Sequence, residues 1–343
     1  MSLNKALGRV ATTFVAATML AAFSAVPVSA EAQSVSLKKV INLAGITENV
    51  KVPNTSFTFT VDEGTAATEN GVVINSGVEG GVYFDGNKNT VTFAPSESNF
   101  SKETQLTVDT SKFTAPGVYR YDVKETTGTY DGMSYDETTH HLDVYVTNKA
   151  DGGFDFAYVF DGKGYGQGEG KTDGSIINTY TTHKVTVAKT VEGNQGDKSK
   201  KFDFSVKVTG VDGEMYTLKV DGGTPYTLTS GAPQRVSLTD GQEFVIYGLS
   251  ENDTYTVEET SYAAEGYTTT VDKAYVEGDT REDSETGASV SVKVGTDDDS
   301  VMFYNYKNAT APTGIVMNVA PYVLLVVVAA AGCFVFLRKR RED

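Results

Sequence analysis

Two sets of one lysine, one glutamate and one asparagine recur along this chain in the same order. The first set is Lys39, Glu125 and Asn178, and the second set is Lys189, Glu259 and Asn305. The surrounding sequences also match, since VSLKK corresponds to VTVAK, YDVKE to YTVEE and SIINTY to FYNYK. Ionisable groups on the buried face of a strand cost free energy unless they are paired or used. The repeat therefore suggests chemistry, and the reaction that fits is a lysine–asparagine cross-link assisted by a carboxylate.

The alternation of side chains along a strand places all six residues on the apolar face of their strands. Lys39 is in phase with Leu37, whereas the neighbouring Lys38 points the other way. Glu259 is likewise in phase with the apolar residues before it, whereas Glu258 is not. The pattern therefore selects one lysine and one glutamate of each adjacent pair.

Burial among apolar and aromatic groups lowers the pKa of a lysine and raises the pKa of a carboxylic acid. We expect a neutral amine to attack the asparagine amide while the acid hydrogen-bonds to the asparagine carbonyl and relays the proton that lets ammonia leave. Close packing supplies the effective concentration that this reaction needs. The same pattern also fits a buried lysine–glutamate ion pair beside a hydrogen-bonded asparagine. The mass of the folded chain separates the two, because each bond removes one ammonia.

Short alternating strands must position these groups, and no long helical pattern occurs between them. The clearest strands are 57–61, 91–93, 118–123, 142–146, 154–156 and 202–206. Strands at this spacing, separated by turn residues, predict an all-β protein with antiparallel sandwiches of immunoglobulin-like type. The repeat indicates two tandem domains, 31–180 and 181–309, joined end to end through 179–183 as a stiff rod. Each lysine lies on the first strand of its domain and each asparagine on the last.

The two ends of the chain carry targeting signals. Residues 1–30 combine Lys5 and Arg9 with an apolar stretch and a VSA cleavage pattern, which predicts a secretory signal peptide. Residues 310–343 contain TAPTG, then an apolar segment at 315–337 that is long enough to span a bilayer, then the basic run RKRR. On its own the apolar segment with its basic run predicts a tail anchor. Pro-Thr-Gly, the apolar span and the basic tail together resemble the cell-wall sorting signal of Gram-positive surface proteins, which implies that the precursor is inserted only transiently in the membrane.

The net charge argues against a nucleic-acid-binding protein, and the cysteine content argues against a protein held together by disulfides. The chain carries a net charge of −16; residues 1–30 carry +2 and the segment after Thr313 carries a further +2, which leaves −20 on the exported part. Such a protein is repelled by nucleic acid. The single cysteine, Cys333, lies in the apolar C-terminal segment, so the exported part forms no disulfide of its own.

Taken with the two triads and the C-terminal Pro-Thr-Gly, the segments VPNTSFTFTV, APGVYRYDVKE, MSYDETTHHLDVYV and GDKSKKFDFSV resemble the major backbone pilins of Gram-positive sortase-assembled pili. The nearest group is the two-domain streptococcal T-antigen type, and the resemblance covers essentially the whole exported chain. It implies a pair of CnaB-type immunoglobulin-like sandwiches, each with an intramolecular isopeptide bond (Lys39–Asn178 and Lys189–Asn305). It also implies a location in the cell wall and pilus.

The resemblance further implies covalent polymerisation. A pilin-class sortase is expected to cleave between Thr313 and Gly314 and to pass the subunit to a lysine of the next copy. A Tyr-Pro-Lys motif is absent, and Lys171, seven residues before Asn178, takes the place of the acceptor lysine in the streptococcal relatives. Lys163 in the same loop is the rival. Tip and base minor pilins and peptidoglycan are the further partners that the resemblance suggests.

The remaining motifs do not indicate a metal or cofactor site. His140 and His141 are adjacent on a strand and face opposite ways, the DDD run at 297–299 lacks calcium-loop spacing, and the glycines at 162–170 miss the dinucleotide fingerprint. The sequence therefore predicts no metal, no cofactor and no enzyme beyond self-directed bond formation by Glu125 and Glu259. A sortase-anchored surface adhesin or minor pilin that does not polymerise is the alternative, and an anchored surface enzyme is a weaker one.

Overall fold

The computed structural model describes residues 32–165, 171–172, 174–273 and 285–309 of the chain. These residues form an almost entirely β structure, as the alternating pattern predicts. The described helical turns are two short 3-10 turns, Thr110–Lys112 and Ala263–Glu265. No helix within the described ranges is long and apolar enough to cross a membrane. The predicted signal peptide and the predicted C-terminal anchor lie outside the described residues.

The described residues of the first domain form fourteen strands. They are β1 (Gln33–Gly45), β2 (Thr55–Glu63), β3 (Ala67–Glu69), β4 (Val72–Ser76), β5 (Val82–Phe84), β6 (Thr90–Phe93), β7 (Ser101–Val108), β8 (Gly117–Glu125), β9 (Met133–Ser134), β10 (His140–Asn148), β11 (Phe154–Phe160), β12 (Lys163–Tyr165), β13 (Lys171–Thr172) and the start of β14 (Ser175–Glu192).

In the second domain, the part of the chain that the structure describes contains the rest of β14 and ten further strands. They are β15 (Phe202–Thr209), β16 (Met215–Val220), β17 (Tyr226–Thr229), β18 (Gln234–Leu238), β19 (Glu243–Leu249), β20 (Thr254–Glu259), β21 (Thr268–Asp272), β22 (Glu285–Thr286), β23 (Ser289–Lys293) and β24 (Asp299–Tyr306). All six strands singled out in the sequence are present.

Each domain is a sandwich of two sheets with its own apolar core. In the first domain, β5, β7, β1 and β14 face a sheet in the order β13-β12-β11-β10-β8-β2-β6. In the second domain, β17, β16, β19, β14, β24 and β21 face the four-stranded sheet β18-β15-β20-β23. Alternate side chains from the facing sheets fill each core, for example Leu37 with Phe59 and Val187 with Phe204.

The stiff connection predicted at 179–183 lies within a single strand. β14 runs without interruption for 18 residues, so the last strand of the first domain is also the first strand of the second. Its first half pairs in parallel with β1, and its second half pairs in parallel with β24. The pairing with β19 shifts register between His183 and Lys184, where the chain passes from one domain to the next. One sheet therefore passes through both domains.

Candidate functional site

The pairing of β1 with β14 places the first lysine beside the first asparagine. Lys39 lies opposite Ile176 and Ile41 lies opposite Asn178 in this parallel register. Because residues two apart on a strand share a face, Lys39 and Asn178 are diagonal neighbours on the inner face. Both side chains are fully buried.

The acid comes from the opposite sheet of the sandwich. Glu125 is the last residue of β8, and its Oε2 lies 2.5 Å from the Nζ of Lys39. Its other oxygen, Oε1, accepts a hydrogen bond of 2.6 Å from the Nδ2 of Asn178. One carboxyl group therefore touches both groups that the proposed bond would join.

Burial favours the neutral form of the lysine in this site. The side chains of Lys39 and Glu125 have no exposed surface. Loss of solvation lowers the pKa of Lys39, and the hydrogen bond and charge of Glu125 oppose this only in part. The free amine, which is the nucleophilic form, is therefore more accessible here than in water.

Two aromatic side chains line the first site: Phe57 packs beside Lys39, and Tyr135 packs against Phe57. The Nζ of Lys39 lies 4.5 Å from the centre of the Phe57 ring, and Tyr135 packs on the same ring at 6.0 Å between centroids. Phe57 was treated in the sequence only as a strand residue. The signal that marks it is a second repeat, because a Phe-x-Phe pair opens the strand beside each glutamate: Phe57 and Phe59 in one domain, Phe202 and Phe204 in the other.

The second site repeats the first with the same offsets. Lys189 lies opposite Phe303 and Val191 lies opposite Asn305 in a parallel register. Glu259 ends β20, as Glu125 ends β8.

All three side chains of the second site are buried and in contact. The Nζ of Lys189 lies 3.3 Å from the Oε2 of Glu259 and 4.7 Å from the centre of the Phe202 ring. The Nδ2 of Asn305 donates to the Oε1 of Glu259. Burial raises the pKa of Glu259, against the opposing charge of Lys189 and the hydrogen bond from Asn305.

The side-chain amide is turned differently from the sequence-based expectation. We expected the acid to hydrogen-bond to the asparagine carbonyl, but in both sites it contacts the amide nitrogen. In the first site the Oδ1 of Asn178 instead accepts a hydrogen bond of 2.9 Å from the backbone N–H of Asp136. The Oδ1 of Asn305 is buried and has no hydrogen-bond donor among the described residues. Asp136 lies in a loop, where no sequence periodicity points to it.

Lys38 and Glu258, which the side-chain alternation places on the opposite face of their strands, lie outside these sites. Lys38 is half-exposed and pairs across the strands with Glu103, and Glu258 is exposed on the outer face of β20. The two members of each adjacent pair therefore occupy opposite faces of one strand.

The proposed polymerisation residues are only partly described. Lys163 begins β12 and Lys171 begins β13, and the two short strands pair in parallel at the edge of the first domain's second sheet, with Gly164 opposite Lys171. Thr313 and Gly314 lie outside the described residues. Within the described ranges, no cluster of His, Cys, Asp or Glu side chains has the geometry of a metal site.

The chain is similar to two families of protein domains and to a curated protein. A family described as the Spy0128-like isopeptide containing domain matches residues 35–181, and a domain of unknown function, DUF7601, matches residues 183–294. A curated protein named Pilin from Streptococcus pyogenes serotype M1 is 30% identical over 316 residues, which cover 87% of this chain and 89% of that protein.

Solved structures show the same architecture. The crystal structure of the major pilin from Streptococcus pyogenes aligns with a TM-score of 0.58 at 24% identity, over 80% of this chain and 99% of that chain. A second major pilin of the same species aligns with a TM-score of 0.55 at 26% identity, over 80% of this chain and 97% of that chain.

Proposed function

This chain belongs to the family of streptococcal major pilins and is a structural pilus subunit, and we propose that each of its domains is locked by a lysine–asparagine isopeptide bond. The observation that carries the proposal is the position of one buried carboxyl group between an amine and an amide, found twice with the same strand offsets. An ion pair alone gives no reason for the asparagine to recur at this place.

The contacts assign a role to each atom in the first domain. The neutral Nζ of Lys39 attacks the Cγ of Asn178, and the Oε2 of Glu125 accepts a proton from that nitrogen. The carboxyl group then gives this proton to Nδ2, the Cγ–Nδ2 bond breaks, and ammonia leaves. The acid ends in its starting protonation state, and the product is a neutral amide. Glu259 acts in the same way between Lys189 and Asn305.

The mass of the mature, folded chain tests this proposal. Two bonds lower the mass by two molecules of ammonia relative to the sequence, and tryptic digestion yields the branched peptides Lys39–Asn178 and Lys189–Asn305. Lys39→Ala should restore one ammonia, whereas Lys38→Ala, on the outer face of the same strand, should restore none. A parent chain whose mass equals its plain sequence would exclude both bonds.

We propose further that the subunit is exported, that a pilin-class sortase cleaves it at Thr313–Gly314, and that Thr313 is joined to Lys171 of the next copy. Support comes from the C-terminal motif and from the edge position of β13 in the fold. The resulting polymer would stand on the cell surface, carry minor pilins and be fixed to peptidoglycan.

Immunoblots of cell-wall extracts under denaturing conditions test the polymer. The parent chain should give a high-mass ladder, Lys171→Ala should collapse it to the monomer, and Lys163→Ala should leave it intact. A ladder that survives Lys171→Ala but not Lys163→Ala would transfer the role to Lys163. A single band from the parent chain would instead indicate an anchored surface protein that does not polymerise.

A further inference from the structure

We propose that the backbone N–H of Asp136 is the oxyanion donor for bond formation in the first domain, an inference that rests on the proposed cross-linking. When the Nζ of Lys39 adds to the Cγ of Asn178, the electron pair of the carbonyl moves onto Oδ1. The N–H of Asp136 already points at that oxygen, at 2.9 Å from nitrogen to oxygen. Donors at this distance, fixed before the reaction, stabilise the developing charge without reorganisation.

This donor divides the catalytic work between two groups. Because the Oδ1 of Asn178 accepts from Asp136, its Nδ2 must face Glu125, which is where the structure has it. The carboxyl group then handles protons only: it takes one from Nζ and gives it to the departing Nδ2. The charge on Oδ1 is held by the backbone amide until the carbonyl forms again as ammonia leaves. No proton needs to reach the carbonyl oxygen.

The loop that carries the donor is anchored on both sides. β9, immediately before it, pairs with β14, with Ser134 opposite Thr179, the residue after Asn178. The side chain of Asp136 accepts a hydrogen bond of 2.9 Å from the N–H of Thr138 and contacts the Nε2 of His140 at 3.1 Å.

His140 fixes the far end of the same loop. Its ring stacks on Phe160 at 5.5 Å between centroids, and its Nδ1 lies 2.7 Å from the Oδ2 of Asp161. His140 was rejected in the sequence as a metal ligand. In the structure it contacts the side chain of Asp136, and the backbone N–H of Asp136 faces the reacting amide. Asp136 therefore combines a donor at the reacting atom with a side chain that fixes the donor's direction.

The second domain provides an internal comparison within the same molecule. The Oδ1 of Asn305 has no donor among the residues that the structure describes, although its lysine and glutamate repeat those of the first domain. A change at Asp136 should therefore slow the Lys39–Asn178 bond and leave the Lys189–Asn305 bond unchanged.

An amide-to-ester exchange tests the donor directly. Cell-free translation with nonsense suppression can insert the α-hydroxy analogue of aspartate at position 136, which replaces the N–H with oxygen and keeps the side chain. Samples of the full chain are taken over time, and the two branched peptides are quantified by mass spectrometry. Loss of one oxyanion donor should slow the first bond by about 100- to 1,000-fold. Asp136→Ala, which keeps the N–H but loses its anchors, should slow it by less.

The outcomes separate this inference from the proposed function. An ester variant that forms the first bond at the parental rate overturns the oxyanion role of Asp136, while the cross-link itself stands. Equal slowing of both bonds also overturns it, because the exchange would then act through folding. If the parent chain forms neither bond, the proposed cross-linking fails and this inference fails with it.

Discussion

Neighbouring Glu258 and Glu259 show how the face of a strand decides what a residue can do. Glu258 is exposed to water, whereas Glu259 is buried between a lysine and an asparagine, and this burial raises its pKa. The same carboxyl group is therefore surrounded by water at one position and enclosed between an amine and an amide at the next. The difference arises from the two-residue period of the strand.

Glu259→Gln should abolish the Lys189–Asn305 bond, because an amide of the same size cannot take a proton from the amine and return one to the leaving nitrogen. We expect the mature chain to gain one ammonia in intact mass relative to the parent. Glu258→Gln is the matched control and should leave the mass loss unchanged. A Glu259→Gln chain that still lacks both ammonias would assign proton transfer to another group.

At the scale of the elements, each proposed bond fastens the first strand of a sandwich to its last. β1 and β14 lie side by side in parallel, and so do β14 and β24. Parallel neighbours cannot be joined by a hairpin, so the residues between them form nearly the whole domain. A covalent link at this place closes the largest loop that the domain offers.

Lys39→Met should lower the free energy of unfolding of the first domain by about 5 kcal/mol, because the chain-entropy estimate for a cross-link that closes about 140 residues has this size. Methionine keeps the length of the side chain, but the Oε2 of Glu125 also loses its buried partner, which adds to the loss due to the link. Urea denaturation of the mature chain measures the change, with Lys38→Met as the exposed control. Equal stability of the Lys39→Met chain and the control would show that the link adds no stability.

At the scale of the whole molecule, β14 joins the two domains and a buried carboxylate lies beside it. Glu214 of the second domain accepts hydrogen bonds of 2.8 to 2.9 Å from Tyr130 and Tyr180 of the first domain and from Tyr216 of the second. Asn54 also donates to the backbone oxygen of Asp212 across the junction. Hydrogen bonds from Tyr130, Tyr180 and Asn54 of the first domain therefore connect it to the second.

Stability at this junction should depend on pH through Asp253. Burial and the negative charge of Glu214 raise the pKa of Asp253 to about 7 in the folded chain, from an ordinary value of 3.8. Because the folded state binds this proton more tightly than the unfolded state, its contribution to stability is full below pH 3.8 and is lost as the pH rises through about 7.

The pH-dependent contribution of Asp253 to stability can be measured from the unfolding midpoints of the parent chain and of Asp253→Asn between pH 4 and pH 8. Asparagine does not titrate, so the difference in stability between the two chains should change across this range and favour Asp253→Asn increasingly as the pH rises. A constant difference would mean that Asp253 keeps the same charge throughout.

The proposed links also define a path for tension. A load that enters at Lys171 and leaves at Thr313 runs along β14 to Lys189 and crosses the proposed bond to Asn305. About 115 residues between these two are thereby bypassed. At about 3.5 Å per residue they would otherwise extend by roughly 400 Å.

Pulling a single mature chain between positions 171 and 313 should therefore give this extension in Glu259→Gln but not in the parent. Glu125→Gln is the control, because the loop closed by Lys39 and Asn178 lies off that path. Equal extension of both variants would contradict the path.

The sequence alone determined the all-β class and the repeat of two domains. It also selected the six triad residues, since a two-residue period and a shared order are local properties that need no contacts to be seen. The repeated Phe-x-Phe pair marks Phe57 in the sequence, but its contact with Lys39 depends on the packing of the two sheets, because any phenylalanine in a strand could belong to the core.

How these residues meet depends on contacts between distant parts of the chain. The parallel registers of β14 put each lysine beside its asparagine, although more than a hundred residues separate the two in sequence. β14 runs without interruption through the predicted connection at 179–183, and the Asp136 loop turns the Asn178 amide so that its nitrogen faces the acid. Sequence periodicity fixes the face on which a side chain lies, but register and loop placement arise from long-range packing, and they set which atoms are close enough to react.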